Sequence, residues 1–203
     1  MLTDQEISRI KREADLFKDI DVFNYVNEMM PWLRPVNHCI KRFSEIMNRN
    51  EITYALIGEY ALNFYSIPYW SSEITYSIRN LDLRVLADNL EKLGFRRLSY
   101  SGSYIKLLDL QVNLFLSVYR EPEPLRWDDE MSKKLVNTNI NVKILSPEDY
   151  SISLIIKNGY KGVELAAKTL YLNLSMIDKD YLIKRAKEYD VLEEVSRLLE
   201  KLF

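Results

Sequence analysis

Ile52-Thr53-Tyr54-Ala55-Leu56-Ile57-Gly58-Glu59-Tyr60-Ala61-Leu62-Asn63-Phe64-Tyr65 carries the change of periodicity that sets the fold. Its first six residues are apolar or β-prone and stop at Gly58, which reads as a short buried strand. A helical run follows from Glu59 to about Tyr65, and Pro68 ends it. Ile74-Thr75-Tyr76-Ser77-Ile78 then reads as a second strand, leading into Asn80 and a helix that closes at Leu93-Gly94-Phe95. Strand, glycine, helix, strand is a common opening of folds that handle phosphate.

Working outward, Thr3-Asp4-Gln5-Glu6 has the form of a capping box. The helix behind it places Ile7, Ile10, Ala14 and Phe17 on one face. Val22 to Met30 continues helically to Pro31 and Pro35, and Val36 to Met47 forms a further helix. This N-terminal arm is expected to cover the sheet or to make a subunit contact. Downstream, the spacing of Leu81, Val85, Leu86, Leu90 and Leu93 is helical, so Asp82 reads as a first-turn acid favoured by the helix dipole. Phe95 to Ser117 is strand-rich, with a turn at Ser101-Gly102-Ser103. Period-two counting through this stretch puts Asp109, Gln111 and Asn113 on one face, near Glu73. Tyr119 to Asp129 reads as a surface loop, and Asn139 to Leu145 as a last strand. Ser146-Pro147-Glu148-Asp149 is a helix start, and helices over Pro147–Lys157, Val163–Leu174, Asp178–Lys187 and Val191–Leu202 complete the chain.

The 203 residues suit one α/β (α+β) domain: a small mixed sheet flanked by helices, with helical segments at both ends. The expected divisions are an N-terminal helical extension over 1–50, an α/β core over 51–145 and a C-terminal helical region over 146–203. Apolar content of 47% and charged content of 29% describe a globular chain. A net charge of −2 gives no overall attraction to nucleic acid. The pairs Lys11-Arg12, Lys41-Arg42, Arg96-Arg97, Lys133-Lys134 and Lys184-Arg185 lie on different elements among acids, as solvated faces do. Lone Cys39 excludes an internal disulfide and fits a reducing cytoplasm, the expected location. Cys39 and the only histidine, His38, are helical neighbours that point about 100° apart, so they cannot easily share one metal ion. No apolar run approaches the ~20 residues of a membrane span, and the acidic start is not a signal peptide. Fourteen tyrosines beside abundant Ile, Lys and Glu resemble thermophile composition.

The stretch from Ala55 to Tyr65 resembles the opening of the nucleotidyltransferase fold of the DNA polymerase β type. The nearest likeness is to its small stand-alone archaeal and bacterial members, including those of toxin–antitoxin systems. The resemblance runs from residue 52 to about 190 and takes in Leu93-Gly94-Phe95 and Ser146-Pro147-Glu148-Asp149. That family places Gly-Gly or Gly-Ser after the first strand, Asp/Glu-x-Asp/Glu on the second, and a third acid on a later strand. Here Gly58 is followed by Glu59, and the acid positions fall on Glu73, Thr75 and, within Gln111-Val112-Asn113-Leu114-Phe115, on Asn113. Lys157 matches a lysine frequent in the family.

Nucleotidyl transfer uses two divalent ions ~3.5–4 Å apart, held by carboxylates. A hydroxyl at Thr75 and an amide at Asn113 remove two of the three formal negative charges. Glu73 carries its carboxylate roughly an angstrom further out than Asp, where catalysis tolerates little error. An anionic Glu59 beside the glycine opposes a triphosphate. The resemblance with these departures implies a nucleotidyltransferase-like protein that serves as a binding, regulatory or structural subunit. Neither cofactor nor metal is expected, and a homo-oligomer or protein partner would dock through the N-terminal helices. The alternative is a divergent active enzyme that uses Glu73 and Asp109 with Mg2+ and a nucleoside triphosphate. The aromatic group Phe64, Tyr65, Tyr69 and Trp70 is expected to line the core or a cleft wall.

Overall fold

Strand β1 (Tyr54–Ile57) has all four side chains buried, as a strand with neighbours on both edges and cover on both faces must. The computed structural model that shows this describes residues 2–69, 71 and 73–202. Trp70, one of the expected aromatic group, lies outside the described residues. β1 pairs antiparallel with β2 (Ile74–Ile78), and β2 pairs in parallel with β5 (Leu114–Tyr119). β3 (Phe95–Tyr100) and β4 (Tyr104–Asp109) extend that edge as an antiparallel meander. On the other side β7 (Lys143–Ile144) runs parallel to β1 and carries β6 (Val136–Asn137). The seven-stranded mixed sheet has the order β3-β4-β5-β2-β1-β7-β6.

The N-terminal arm supplies α1 (Asp4–Asp15), α2 (Val22–Met29) and α3 (Arg34–Arg49). The capping box at Thr3 and Glu6 forms as its sequence implies. α3 buries Val36, Ile40, Phe43 and Met47, a stripe at helical spacing, against one face of the sheet. Phe43 lies 4.4 Å from the Tyr76 ring, and the Tyr76 hydroxyl donates to the Ile40 carbonyl at 3.0 Å. α4 (Leu83–Lys92) packs beside β3 and β4 through Leu83, Leu86, Ala87 and Leu90. Asp82 caps it, accepting from the Arg84 amide at 2.7 Å, rather than standing in its first turn.

A short α5 (Asp129–Lys133) ends the stretch read as a surface loop. Of the strand read over Asn139–Leu145 only Lys143 and Ile144 pair, as β7; the residues before them form the turn from β6, with Asn141 at φ 61°. α6 (Pro147–Leu172) is two helices broken at Gly159, where φ is 53° and ψ −130°. The break falls where separate helices ending at Lys157 and starting at Val163 were expected. α7 (Lys179–Glu188) and α8 (Leu192–Leu202) finish the chain. Buried Asp149 of α6 accepts from Arg185 Nε at 2.9 Å and from the Tyr181 hydroxyl at 2.7 Å, so α7 is locked to α6. α1 rests on α6 and α8, with Lys168 bonded to Glu13 at 2.8 Å. The arm therefore divides: α3 covers the sheet, and α1 covers the C-terminal helices.

Asp109 is fully buried, and Arg42 of α3 forms an ion pair with it. The same guanidinium donates to the Leu93 carbonyl and lies 4.4 Å from the Phe95 ring centroid. Arg42 thus joins α3, α4 and the β3–β4 edge. Removing one partner of a buried pair leaves a charge without compensation. Arg42→Met should cost about 3–5 kcal/mol in urea unfolding. The double change with Asp109→Asn should recover part of that, and equal losses in both variants would show that Asp109 is not the reason.

Candidate functional site

The cleft floor is the sheet face turned away from α3. Thr75 of β2 faces Ser117 of β5, and Ser117 faces Lys106 of β4. Residues directly opposite in a sheet share a face, so these three lie on one face; Thr75 lines the cleft, and Lys106 lies over the Phe115 ring, 5.3 Å from its centroid. Ile74, Tyr76, Leu116 and Val118 alternate with them and are buried on the α3 side.

Gly58 ends β1 with φ 76° and ψ −173°, a region essentially restricted to glycine. A Cβ there would lie 3.4 Å from both Thr75 Cβ and Oγ1, so the glycine turn rests on the threonine. Glu59 to Tyr65 follows as a single 3-10 segment rather than a regular α-helix. The first turn of α6 closes the cleft. The Tyr150 hydroxyl donates to the Gly58 carbonyl at 2.8 Å, and its ring stacks on Tyr65 at 4.5 Å. Tyr65 in turn donates to the Leu145 carbonyl at 2.8 Å. Burial, reinforced by the Glu59 charge, pushes the Tyr150 hydroxyl up, so it stays a neutral donor.

The resulting cleft has a volume of about 420 Å³. Glu59, Glu73 and Glu123 line it, with Lys157 as the cation among its walls. All four are exposed, and none forms an ion pair among the described residues. Tyr119 stands between the acids. Its hydroxyl is raised, first by burial and then by the charges of Glu73, Tyr104 and Glu123.

The expected site residues divide. Gly58, Glu59, Glu73 and Thr75 share the cleft, and Lys157 joins them from α6. Glu73 stands one residue before β2, exposed, with its amide donating to Ser71 Oγ at 3.1 Å. Asn113 is not on a strand. It occupies the β4–β5 turn with φ 55°, a conformation asparagine tolerates, and the residue beside Thr75 is Ser117. Asp109 is not on the cleft face. It lies three residues from Lys106, an odd offset that turns it toward Arg42, so the expected pairing of Asp109 with Glu73 is corrected. The turn over 110–113 breaks the period-two count that had linked Asp109, Gln111 and Asn113.

Cys39 is buried and its thiol is raised by burial, whereas His38 is exposed on another side of α3. Phe64 stacks on Phe23 at 4.9 Å and Tyr65 is buried against Tyr150, so both belong to the core. Among the basic pairs, Arg97 meets Asp88, Lys184 meets Glu130, and Arg185 is consumed by the buried network around Asp149.

A two-metal centre needs carboxylates that converge. Among the described residues no three of His, Cys, Asp and Glu come together to hold an ion. The inner positions carry Thr75 and Ser117, neutral hydroxyls that do not fit a magnesium pair. Glu123 and Tyr119 were not singled out as site residues in sequence. Alternation of Leu116 and Val118 around Ser117 was the available signal for the register, whereas Glu123 lies in a loop with no periodicity to place it.

Solved structures place this architecture. An antigenic nucleotidyltransferase-like protein from Paracoccidioides brasiliensis matches over 81% of this chain and 87% of its own, with TM-score 0.51 and 17% identity. The antibiotic-resistance factor ANT(2'')-Ia matches over 83% of this chain and 99% of its own, with TM-score 0.50 and 11% identity. The chain has the nucleotidyltransferase fold. No protein-family model matches it, and no curated protein does. Among the described residues no helix is long and apolar enough to cross a membrane.

The Gly58 backbone sets the distance between β1, Thr75 and Tyr150. Gly58→Ala should lower stability by about 1–3 kcal/mol, because alanine is strained at this φ and ψ. Chemical denaturation measures the loss. An unchanged midpoint would mean that the turn relaxes freely.

Proposed function

We propose that this chain is a nucleotidyltransferase-like protein without metal-dependent transfer, acting as a binding, regulatory or structural subunit. One observation carries this reading: the paired strand positions at the cleft hold hydroxyls, Thr75, which lines it, and Ser117, in register beside it. Two divalent ions beside phosphate need anionic oxygens at that spacing, and neutral hydroxyls do not supply the charge. The electrostatics act in the same direction. Three glutamates against one lysine give a cleft that opposes a triphosphate.

A second reading, a divergent active transferase, is favoured by Glu73 and Glu123 facing one cleft beside Lys157. Asp109 has no part in it, since Arg42 holds that carboxylate on the other face. Calorimetry with ATP and GTP, with and without Mg2+ or Mn2+, separates the readings. The first expects affinity weaker than about 1 mM in every condition. Metal-dependent binding that Glu73→Gln abolishes would overturn it and support the second.

The partner surface is proposed on the N-terminal arm. Leu16 (69% exposed) is the C-cap of α1, Met29 (60%) is the last residue of α2, and Trp32 (66%) lies in the turn that follows it. Large apolar side chains exposed on one short segment of chain are candidates for a contact surface. Self-association of the chain would use this face. Sedimentation should then show a dimer that Trp32→Glu converts to monomer, whereas a wild-type monomer at high concentration would exclude a homo-oligomer.

A further inference from the structure

The sheet face that carries Thr75 continues outward across β5, β4 and β3, beyond the cleft. The helices packed on these three strands, α3 and α4, lie on the other side, where Ile105, Leu107, Leu116 and Val118 are buried. Register fixes what the open side presents. Phe115 is opposite Leu108, and Leu108 is opposite Arg96. Ser117 is opposite Lys106, and Lys106 is opposite Ser99, past a register shift between Arg97 and Ser99. Tyr119 is opposite Tyr104, and the two rings stack at 5.5 Å. None of these residues is acidic.

The cations on the two sides of these strands are treated differently. Arg97 turns to the helix side and is matched to Asp88 and Glu91 of α4. Arg96 and Lys106 are exposed on the open side and form no ion pair among the described residues. Phe115 is 53% exposed between them, with Lys106 Nζ 5.3 Å from its ring centroid. Glu73 and Glu123 act on Tyr119 at the cleft margin, so negative charge borders the patch on one side and positive charge lies on the other. Unpaired cations draw a polyanion, and exposed rings beside them favour a polyanion whose bases can stack. A duplex hides its bases, and an acidic peptide would engage the cations alone.

We propose that the open face of β3, β4 and β5 binds single-stranded nucleic acid, with bases on Phe115 and on the Tyr104–Tyr119 pair and phosphates on Lys106 and Arg96. Phe115 to Tyr119 spans about 13 Å at ~3.3 Å per residue, room for two or three bases. The net charge of −2 supplies no general attraction, so binding depends on this patch. The bound strand stays outside the cleft, whose glutamates oppose phosphate, and the surface acts in addition to whatever the cleft binds.

Fluorescence anisotropy on the full chain tests this with labelled oligo-U and oligo-dT of about twelve nucleotides. Both should bind at low salt, and the tighter of the two names the preferred sugar. Two phosphate contacts give a log–log salt slope of about −1.4, so affinity should fall about sevenfold between about 50 and 200 mM salt. Arg96→Gln and Lys106→Gln should each reduce that slope by about 0.7. Phe115→Leu keeps an apolar side chain and removes the ring. It should weaken binding at least about fivefold and leave the thermal midpoint within a few degrees. A duplex of the same length and an oligo-glutamate peptide should bind at least about fivefold more weakly than the single strands. Absence of binding at low salt, binding that Phe115→Leu and Lys106→Gln both leave unchanged, or a duplex or oligo-glutamate bound equally well would each overturn the proposal. Glu73→Gln and excess ATP should not weaken the oligonucleotide, so these outcomes are independent of nucleotide binding in the cleft.

Discussion

The hydrogen bond from the Tyr150 hydroxyl to the Gly58 carbonyl joins the two parts of the chain that make the cleft. Gly58 is available as an acceptor because its backbone turns through a conformation that other residues avoid. Tyr150 is available as a donor because burial keeps it neutral and Tyr65 holds its ring. Tyr65 is fixed by the Leu145 carbonyl just before α6 begins. The glycine turn, the 3-10 segment and the start of α6 therefore set one another's position. Thr75 is included, since the glycine rests on it.

That arrangement gives the sheet two unequal faces. One is filled by α3 and α4, with Phe43 on Tyr76 and Arg42 on Asp109. A carboxylate there is structural: it accepts from Arg42 and from the Gln111 amide at 2.9 Å, ending β4 and starting the turn. The other face is left for the cleft, and its inner positions are small hydroxyls. Residues one step apart on a strand thus have unrelated roles, and a register slip of one would exchange them.

The same parity explains what the sequence could and could not convey. Strand, glycine, helix break and second strand were legible from Ile52 to Ile78, because apolar runs and a glycine leave a periodic signal. The C-terminal helices were legible from Ser146-Pro147 and from the interruption at Gly159. The 110–113 turn was not, because Leu110, Gln111 and Val112 also fit an alternating strand and only the backbone at Asn113 reveals the reversal. Losing that turn put Asn113 on a strand, where the residue paired with Thr75 is Ser117, and drew Asp109 onto the wrong face. Glu123 was hidden for a different reason: its place in the cleft depends on the path of a loop with no period to read.

Correcting the register leaves the chemistry of the inner positions unchanged. The residue beside Thr75 is a hydroxyl, Ser117, in place of the amide of Asn113, and it supplies no negative charge either. The carboxylates that do line the cleft stand outside that pair: Glu73 before its strand, Glu59 on the 3-10 segment and Glu123 in a loop. Exposed carboxylates in high dielectric keep their own hydration, so an ion gains little by exchanging water for them. Burial and convergence make a metal site, and here the buried acids are Asp109 and Asp149, each matched to an arginine, and Glu148, which accepts from the Asp178 amide at 2.7 Å. The fold has placed its enclosed negative charge in its structural joints, leaving the cleft with exposed acids around a neutral centre.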